Sequence, residues 1–209
     1  MTSRGKKSPT PKIKLIIIDL YGVMFFGSYK DTCLWLCHKY GFDYEKCYQI
    51  VYHKYFQQAI EHQISEKQSF TLAAKELGIK ESGQEIRAKH LSFQRLNQPM
   101  FNLAKKLHCQ GYKILLLLKN TPSQFKAVAG KLNFKKYFAV TNTYYLKIDK
   151  HSPQMIKYIL KKYHLKPAEI IMTDDQEFNL THPRRLGVHT ICYLNYAKFK
   201  EELTNFLNY

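Results

Sequence analysis

The sequence predicts an α/β fold: an open, Rossmann-like parallel sheet interrupted once by a helical module. Three apolar runs, Leu15 to Asp19, Ile114 to Leu118 and Ile170 to Thr173, are unbroken rather than alternating. Strands covered on both faces read this way. Each run closes on polar residues: Asp19 in the first, Lys119 and Asn120 after the second, Asp174 and Asp175 after the third. Helical patterns lie between the runs. In sheets built of such units the ligand sits beyond the carboxyl ends of the strands, so these polar ends should converge.

Residues 1–12 carry Arg4, Lys6 and Lys7 without an apolar stretch, which reads as a disordered basic tail and not a secretory signal. From residue 29 to 95 the character changes to helical periodicity with many aromatics, including Trp35, Tyr40, Tyr44, Tyr48, Tyr52, Tyr55, Phe56 and Phe70. A Ser65 to Gln68 capping box lies within it. This segment is expected to be an inserted helical cap, leaving 13–28 and 96–209 as the core and short hinges at both crossings. Thr121-Pro122 and Ser152-Pro153 each set an N-cap before a proline, so helices should start there. Pro183 should kink or shorten the helix after Asn179. His189 to Tyr193 adds a strand, and Tyr196 to Leu207 a closing helix.

A chain of 209 residues with 45% apolar content can bury one sizeable core. Its 33 Lys and Arg against 16 Asp and Glu give a net charge of +17, attractive to phosphate groups, nucleic acid or acidic surfaces. The lysines are scattered and no RNA-binding signature appears, so nucleic acid is a possible ligand but not the leading one. Five irregularly spaced cysteines suit a reducing cytoplasm. Cys33 and Cys37 share a helix face with Leu36 and Tyr40 and are expected to pack a core. The longest apolar runs are strand length, so no membrane insertion is expected.

In order along the chain stand a strand ending in Asp-x-x-Gly-Val (Asp19 to Val23), a strand followed by Asn120-Thr121-Pro122, a lysine before a helix, and a strand ending in Asp174-Asp175. Asn179 and Gly187 then follow. This order resembles the haloacid dehalogenase superfamily of hydrolases, in its capped subclass, over about residues 13 to 194. The resemblance implies that Asp19 is the nucleophile. It implies that Asp19, Asp174, Asp175 and the main-chain carbonyl of Tyr21 hold magnesium, a hard cation suited to oxygen ligands. It also implies that Lys150 neutralises nucleophile and phosphate, although the usual Lys-Pro-Asp-Pro here reads Lys150-His151-Ser152-Pro153; Lys147 competes for that role.

Two positions depart from the pattern. Tyr21 stands where most phosphatases of the family have a second aspartate serving as leaving-group acid, a loss worth ~10²–10⁴-fold in rate. Lys119 replaces the usual serine or threonine; it either binds phosphate as a point charge or pairs with Asp19 and takes the place of magnesium. Asn120 and Thr121 keep the family's turn. Phe25, Phe26 and Tyr29 follow the nucleophile loop and either cover the site or pack the hinge. His182 and His189 are weaker acid–base candidates.

The leading expectation is a magnesium-dependent phosphomonoester phosphatase acting through an aspartyl-phosphate on Asp19, with a small phosphorylated substrate contacting Lys119, Asn120 and Tyr21. The alternative is a catalytically degenerate relative that binds a phosphorylated ligand, protein or nucleic acid. The third reading is a 2-haloacid dehalogenase, because Asp19-Leu20-Tyr21-Gly22 is also the wording of those enzymes. Their usual Ser-Ser-Asn in the fourth segment is absent here.

Overall fold

A computed structural model of the protein describes residues 12–129 and 134–207; all but the last residue of the expected basic tail lies outside them. The core is a five-stranded parallel sheet in the order β5-β4-β1-β6-β7. Its strands are β1 (Leu15–Asp19), β4 (Lys113–Leu118), β5 (Ala139–Asn142), β6 (Ile170–Asp174) and β7 (His189–Cys192). The other two apolar runs thus flank the first, and β1 is central, with Asp19 opposite Leu117 of β4 and Ile18 opposite Thr173 of β6.

Alternate residues of each strand feed opposite faces of the sheet. Ile16, Ile18, Leu116 and Ile171 join Met100, Phe101 and Ala104 of α6 (Gln98–Cys109), together with Phe199 and Leu203 of α11 (Tyr196–Leu207). Leu15, Ile17, Leu115 and Met172 join Met155, Ile156 and Ile159 of α9 (Pro153–Tyr163) and Leu180 of α10 (Glu177–Arg185). Fully buried apolar strands with helices on both faces are what the unbroken runs required.

The helices begin where the caps place them. Thr121 Oγ1 accepts from Gln124 N at the start of α7 (Pro122–Ala129), and Ser152 Oγ accepts from Met155 N at the start of α9. Helix α10 runs through Pro183 and ends two residues later. A proline in the last turn removes one backbone donor without breaking the helix at His182.

Residues 29 to 92 form a helical insertion with its own apolar cluster, in which Cys33, Leu36 and Cys47 are buried as packing residues. It contains α1 (Tyr29–Tyr40), α2 (Tyr44–Tyr48), a π-helix over Gln49–Phe56, α3 (Gln57–Ile60), α4 (Glu66–Leu77) and α5 (Gly83–Ser92). The Ser65–Gln68 capping box is present at the start of α4. Between core and insertion the two chain crossings pair with each other as short antiparallel strands, β2 (Phe25–Phe26) with β3 (Arg95–Leu96). Gly27, at φ +87°, allows this approach, because a Cβ there would fall 2.1 Å from the Phe93 carbonyl oxygen. Asn97 anchors the return crossing by donating to Val23 O (2.8 Å) and Tyr193 Oη (2.7 Å).

Candidate active site

Asp19 ends the central strand and Asp174 ends its neighbour, so parallel pairing alone sets the two carboxylates side by side. Asp175 follows directly. Among the described residues, ligand oxygens of Asp19, Asp174 and Asp175 lie within 4.8 Å of one another. Lys150, just ahead of α9, is only 4% exposed. Its Nζ stands 2.5 Å from Asp19 Oδ1 and 3.2 Å from Asp174 Oδ2. Gly22 at φ +87° bends the loop after β1 against Asp175, where a Cβ would meet the carboxylate at 2.4 Å.

Burial raises Asp19 above the ordinary carboxylate range against the attraction of Lys150, and Asp174 adds to the rise. Burial and Asp174 likewise raise Asp175. At Asp174 burial is outweighed by Lys150, Asn179 and the Gln176 N–H, which hold that carboxyl below its usual value. Burial also opposes the charge on Lys150, but Asp19 and Asp174 win and keep the ammonium protonated. One ammonium against three carboxylates leaves the cluster at 1 − 3 = −2 when all are ionised. Asp175 Oδ1 is buried without a hydrogen-bond partner. A set of hard, clustered oxygen donors with unspent charge fits a magnesium ion.

Lys119 does not pair with Asp19. Its Nζ lies 3.9 Å from Asp149 at the edge of the site, so the place next to Asp19 belongs to Lys150. Lys147 is exposed, in a left-handed conformation after α8 (Thr143–Leu146). Asn120 is buried, donating through Nδ2 to Gln124 Oε1 (3.0 Å), while Asn142 brackets its backbone. Tyr21 Oη accepts from Gln94 Nε2 at 2.9 Å, and burial pushes the phenol well above its usual value. Phe25 is buried against Phe134, whereas Phe26 lines the site. His182 is exposed on α10, and His189 sits at the amino end of β7, on the edge away from the carboxylates. Neither lines the cavity.

A cavity of about 320 Å³ lies over Asp19, between the sheet edge and the insertion. Tyr21, Lys119, Asn120, Lys150 and Asp175 line it from the core, with Tyr48, Tyr52, Phe56 and His90 from the insertion. His90 was not foreseen. Its Nε2 accepts from Gln124 Nε2 (2.8 Å) and lies 3.3 Å from Gln94 Nε2, and its Nδ1 is 2.8 Å from Thr32 Oγ1. Glu66 of α4 also went unforeseen. Its buried carboxylate accepts from Thr121 Oγ1 and Ser123 Oγ at the start of α7 and pairs with Arg87 at 2.6 Å. Nothing in the local sequence around either residue marks its partners.

Residues 13–181 match the protein family described as haloacid dehalogenase-like hydrolase. The chain belongs to this family. No curated protein matches the sequence. Among solved structures of the haloacid dehalogenase fold, a Bacteroides thetaiotaomicron family enzyme in complex with magnesium and inorganic phosphate is similar at TM-score 0.69 and 24% identity. That likeness covers 86% of this chain and 93% of the other. A predicted HAD-like family hydrolase from Porphyromonas gingivalis gives TM-score 0.73 at 19% identity, over 94% and 98% of the two chains. The L-2-haloacid dehalogenase from Xanthobacter autotrophicus gives 0.61 at 14%, over 92% and 83%. These likenesses carry the fold. The family assignment gives no support to the nucleic-acid ligand that the charge allows, and no helix among the described residues is long and apolar enough to cross a membrane.

Proposed function

We propose that this hydrolase is a magnesium-dependent phosphomonoester phosphatase in which Asp19 is the nucleophile and residues 29–95 act as a cap over the substrate. The observation that carries the reading is the cluster of Asp19, Asp174 and Asp175 around one buried lysine, with an acceptor oxygen of Asp175 left unpartnered. Asp19, Asp174, Asp175 and the carbonyl of Tyr21 would hold the ion, which when bound neutralises charge on the phosphoryl oxygens. Asp19 attacks phosphorus, the ester P–O bond breaks with its electron pair leaving on the alcohol oxygen, and water then cleaves the aspartyl-phosphate. Lys150 holds Asp19 in place and offsets the charge of the incoming phosphate. Lys119 and Asn120 meet the phosphate from the loop after β4. Tyr21 serves as a neutral hydrogen-bond donor to the ester oxygen, so the departing oxygen takes its proton from water and turnover is slow.

Tyr21 also supports a second reading, a non-catalytic relative that binds phosphorylated ligands at the same cavity. The paired aspartates of the fourth segment, where dehalogenases usually have Ser-Ser-Asn, favour phosphate over haloacid. The test is phosphate release from a panel of phosphomonoesters with and without magnesium, comparing the native chain with Asp19→Asn, alongside thermal melts under magnesium titration. Magnesium-dependent release lost in Asp19→Asn supports the phosphatase. Magnesium stabilisation without release above the variant overturns catalysis and favours the binder.

A further inference from the structure

We propose that the organic group of the substrate is planar and aromatic, held against a wall of stacked rings on the π-helix of the insertion. The proposal rests on the phosphatase reading and deepens it. Tyr48, Tyr52 and Phe56 follow one another at four-residue spacing. Their rings stack face to face, Tyr48 on Tyr52 with centroids 4.9 Å apart at 13° and Tyr52 on Phe56 at 5.3 Å and 19°. Tyr29 closes the array from α1, 4.5 Å from Phe56. A π-helix is rare, and where it occurs it frequently sits at a functional site. Here it spans Gln49–Phe56 and carries Tyr52 and Phe56, with Tyr48 on the last residue of α2 just before it.

Core packing alone accounts for Val51 on the π-helix and for Cys47 on α2 before it, both buried within the insertion. Tyr48 and Tyr52 also pack against the insertion's apolar cluster, yet they remain half-buried and line the cavity, which core packing alone does not require. Tyr52 lines the same cavity as Lys150, Asp19 and Asp175, so the wall stands beside the carboxylates and not in a remote lobe of the insertion. A phosphate seated at Lys150 therefore directs its ester group along these rings. The volume, about 320 Å³, admits a small ligand. Offset or edge-on contact between aromatic rings adds attraction beyond area burial, which a saturated ring of equal size does not receive.

The experiment compares benzyl and 1-naphthylmethyl phosphate with cyclohexylmethyl phosphate. All three release primary alcohols, so leaving-group acidity does not confound the comparison. KM is measured with the native chain, and dissociation constants by calorimetry with Asp19→Asn in magnesium. The arylmethyl esters should bind about three- to tenfold more tightly than the saturated one. Tyr52→Leu should erase that ratio and Tyr52→Phe should keep it, with melting curves confirming that both variants are folded. Esters bound or hydrolysed with no aromatic preference, or a preference unchanged in Tyr52→Leu, would overturn this inference and leave the phosphatase standing. Binding of none of the esters, and of no inorganic phosphate, would overturn both.

Discussion

His90 gives the sharpest quantitative test of how the insertion is joined to the core. It is 1% exposed and bonded on both ring nitrogens, with the amides of Gln124 and Gln94 turned to Nε2, so the proton sits on Nδ1 toward Thr32. Burial lowers its pKa from 6.5 to about 4; Glu66 and Asp31 pull it up, and Arg87 pushes it further down. Between those values the unfolded chain binds a proton that the folded chain refuses, so stability increases with pH across this window. At ~1.4 kcal/mol per pH unit, about 3 kcal/mol present above pH 6.5 is lost by pH 4. The assay is urea unfolding of the native chain and His90→Gln at several pH values from 6.5 down toward 4. The variant will have its own constant offset, and carboxylates titrate equally in both, so the difference between the two curves isolates the imidazole. The gap should change by about 3 kcal/mol in favour of the variant as pH falls. Parallel curves would refute the buried neutral histidine and with it the network that ties Thr32, Gln124 and Gln94 together.

Two further substitutions probe the same architecture. Glu66→Ala strips the acceptor from Thr121 and Ser123 and leaves Arg87 unpaired, and should cost about 2–4 kcal/mol in chemical unfolding at neutral pH, with Glu66→Gln milder. Burial opposes this carboxylate, but Ser123, Thr121 and Arg87 hold its pKa below 4.5, so the cost should be full above that pH and fade as acid protonates the native chain. Gly22→Ala introduces a side chain at φ +87° whose Cβ meets Asp175, costing about 1–3 kcal/mol in stability. If the proposed magnesium site includes Asp175, this variant should also reduce the rise in melting temperature expected on adding magnesium; an equal rise in both chains would remove Asp175 from the proposed ligands.

What was legible in the sequence is what short-range chemistry specifies. Unbroken Leu and Ile runs require two covering layers, proline after Thr121 or Ser152 requires a helix start, and parallel strands ending in Asp19 and Asp174 bring those carboxylates together. The edge strand β5, Ala139–Asn142, carries little apolar signal, and β2 and β3 are two residues each, too short for any period to show. The place of Lys150 before Ser152-Pro153 points to it as the lysine beside Asp19, but the sequence leaves open whether Lys119 also pairs with Asp19; packing decides it, sending Lys119 toward Asp149 and burying Lys150 against Asp19. Glu66 reads locally as an acidic residue in the first turn of a helix, a favourable place for it with no partner at all. Its partner Thr121 lies 55 residues away, and no pattern within either helix encodes the contact. The same holds for the chain of polar groups from Tyr21 through Gln94 and His90 to Gln124. The core's carboxylates therefore followed from motif and topology, while the groups that close the insertion over them follow from packing between distant elements. Tyr21 belongs to that second set: its hydroxyl is held by Gln94, just after α5, so altering Gln94 tests the departure from the family pattern without touching the loop that carries Asp19.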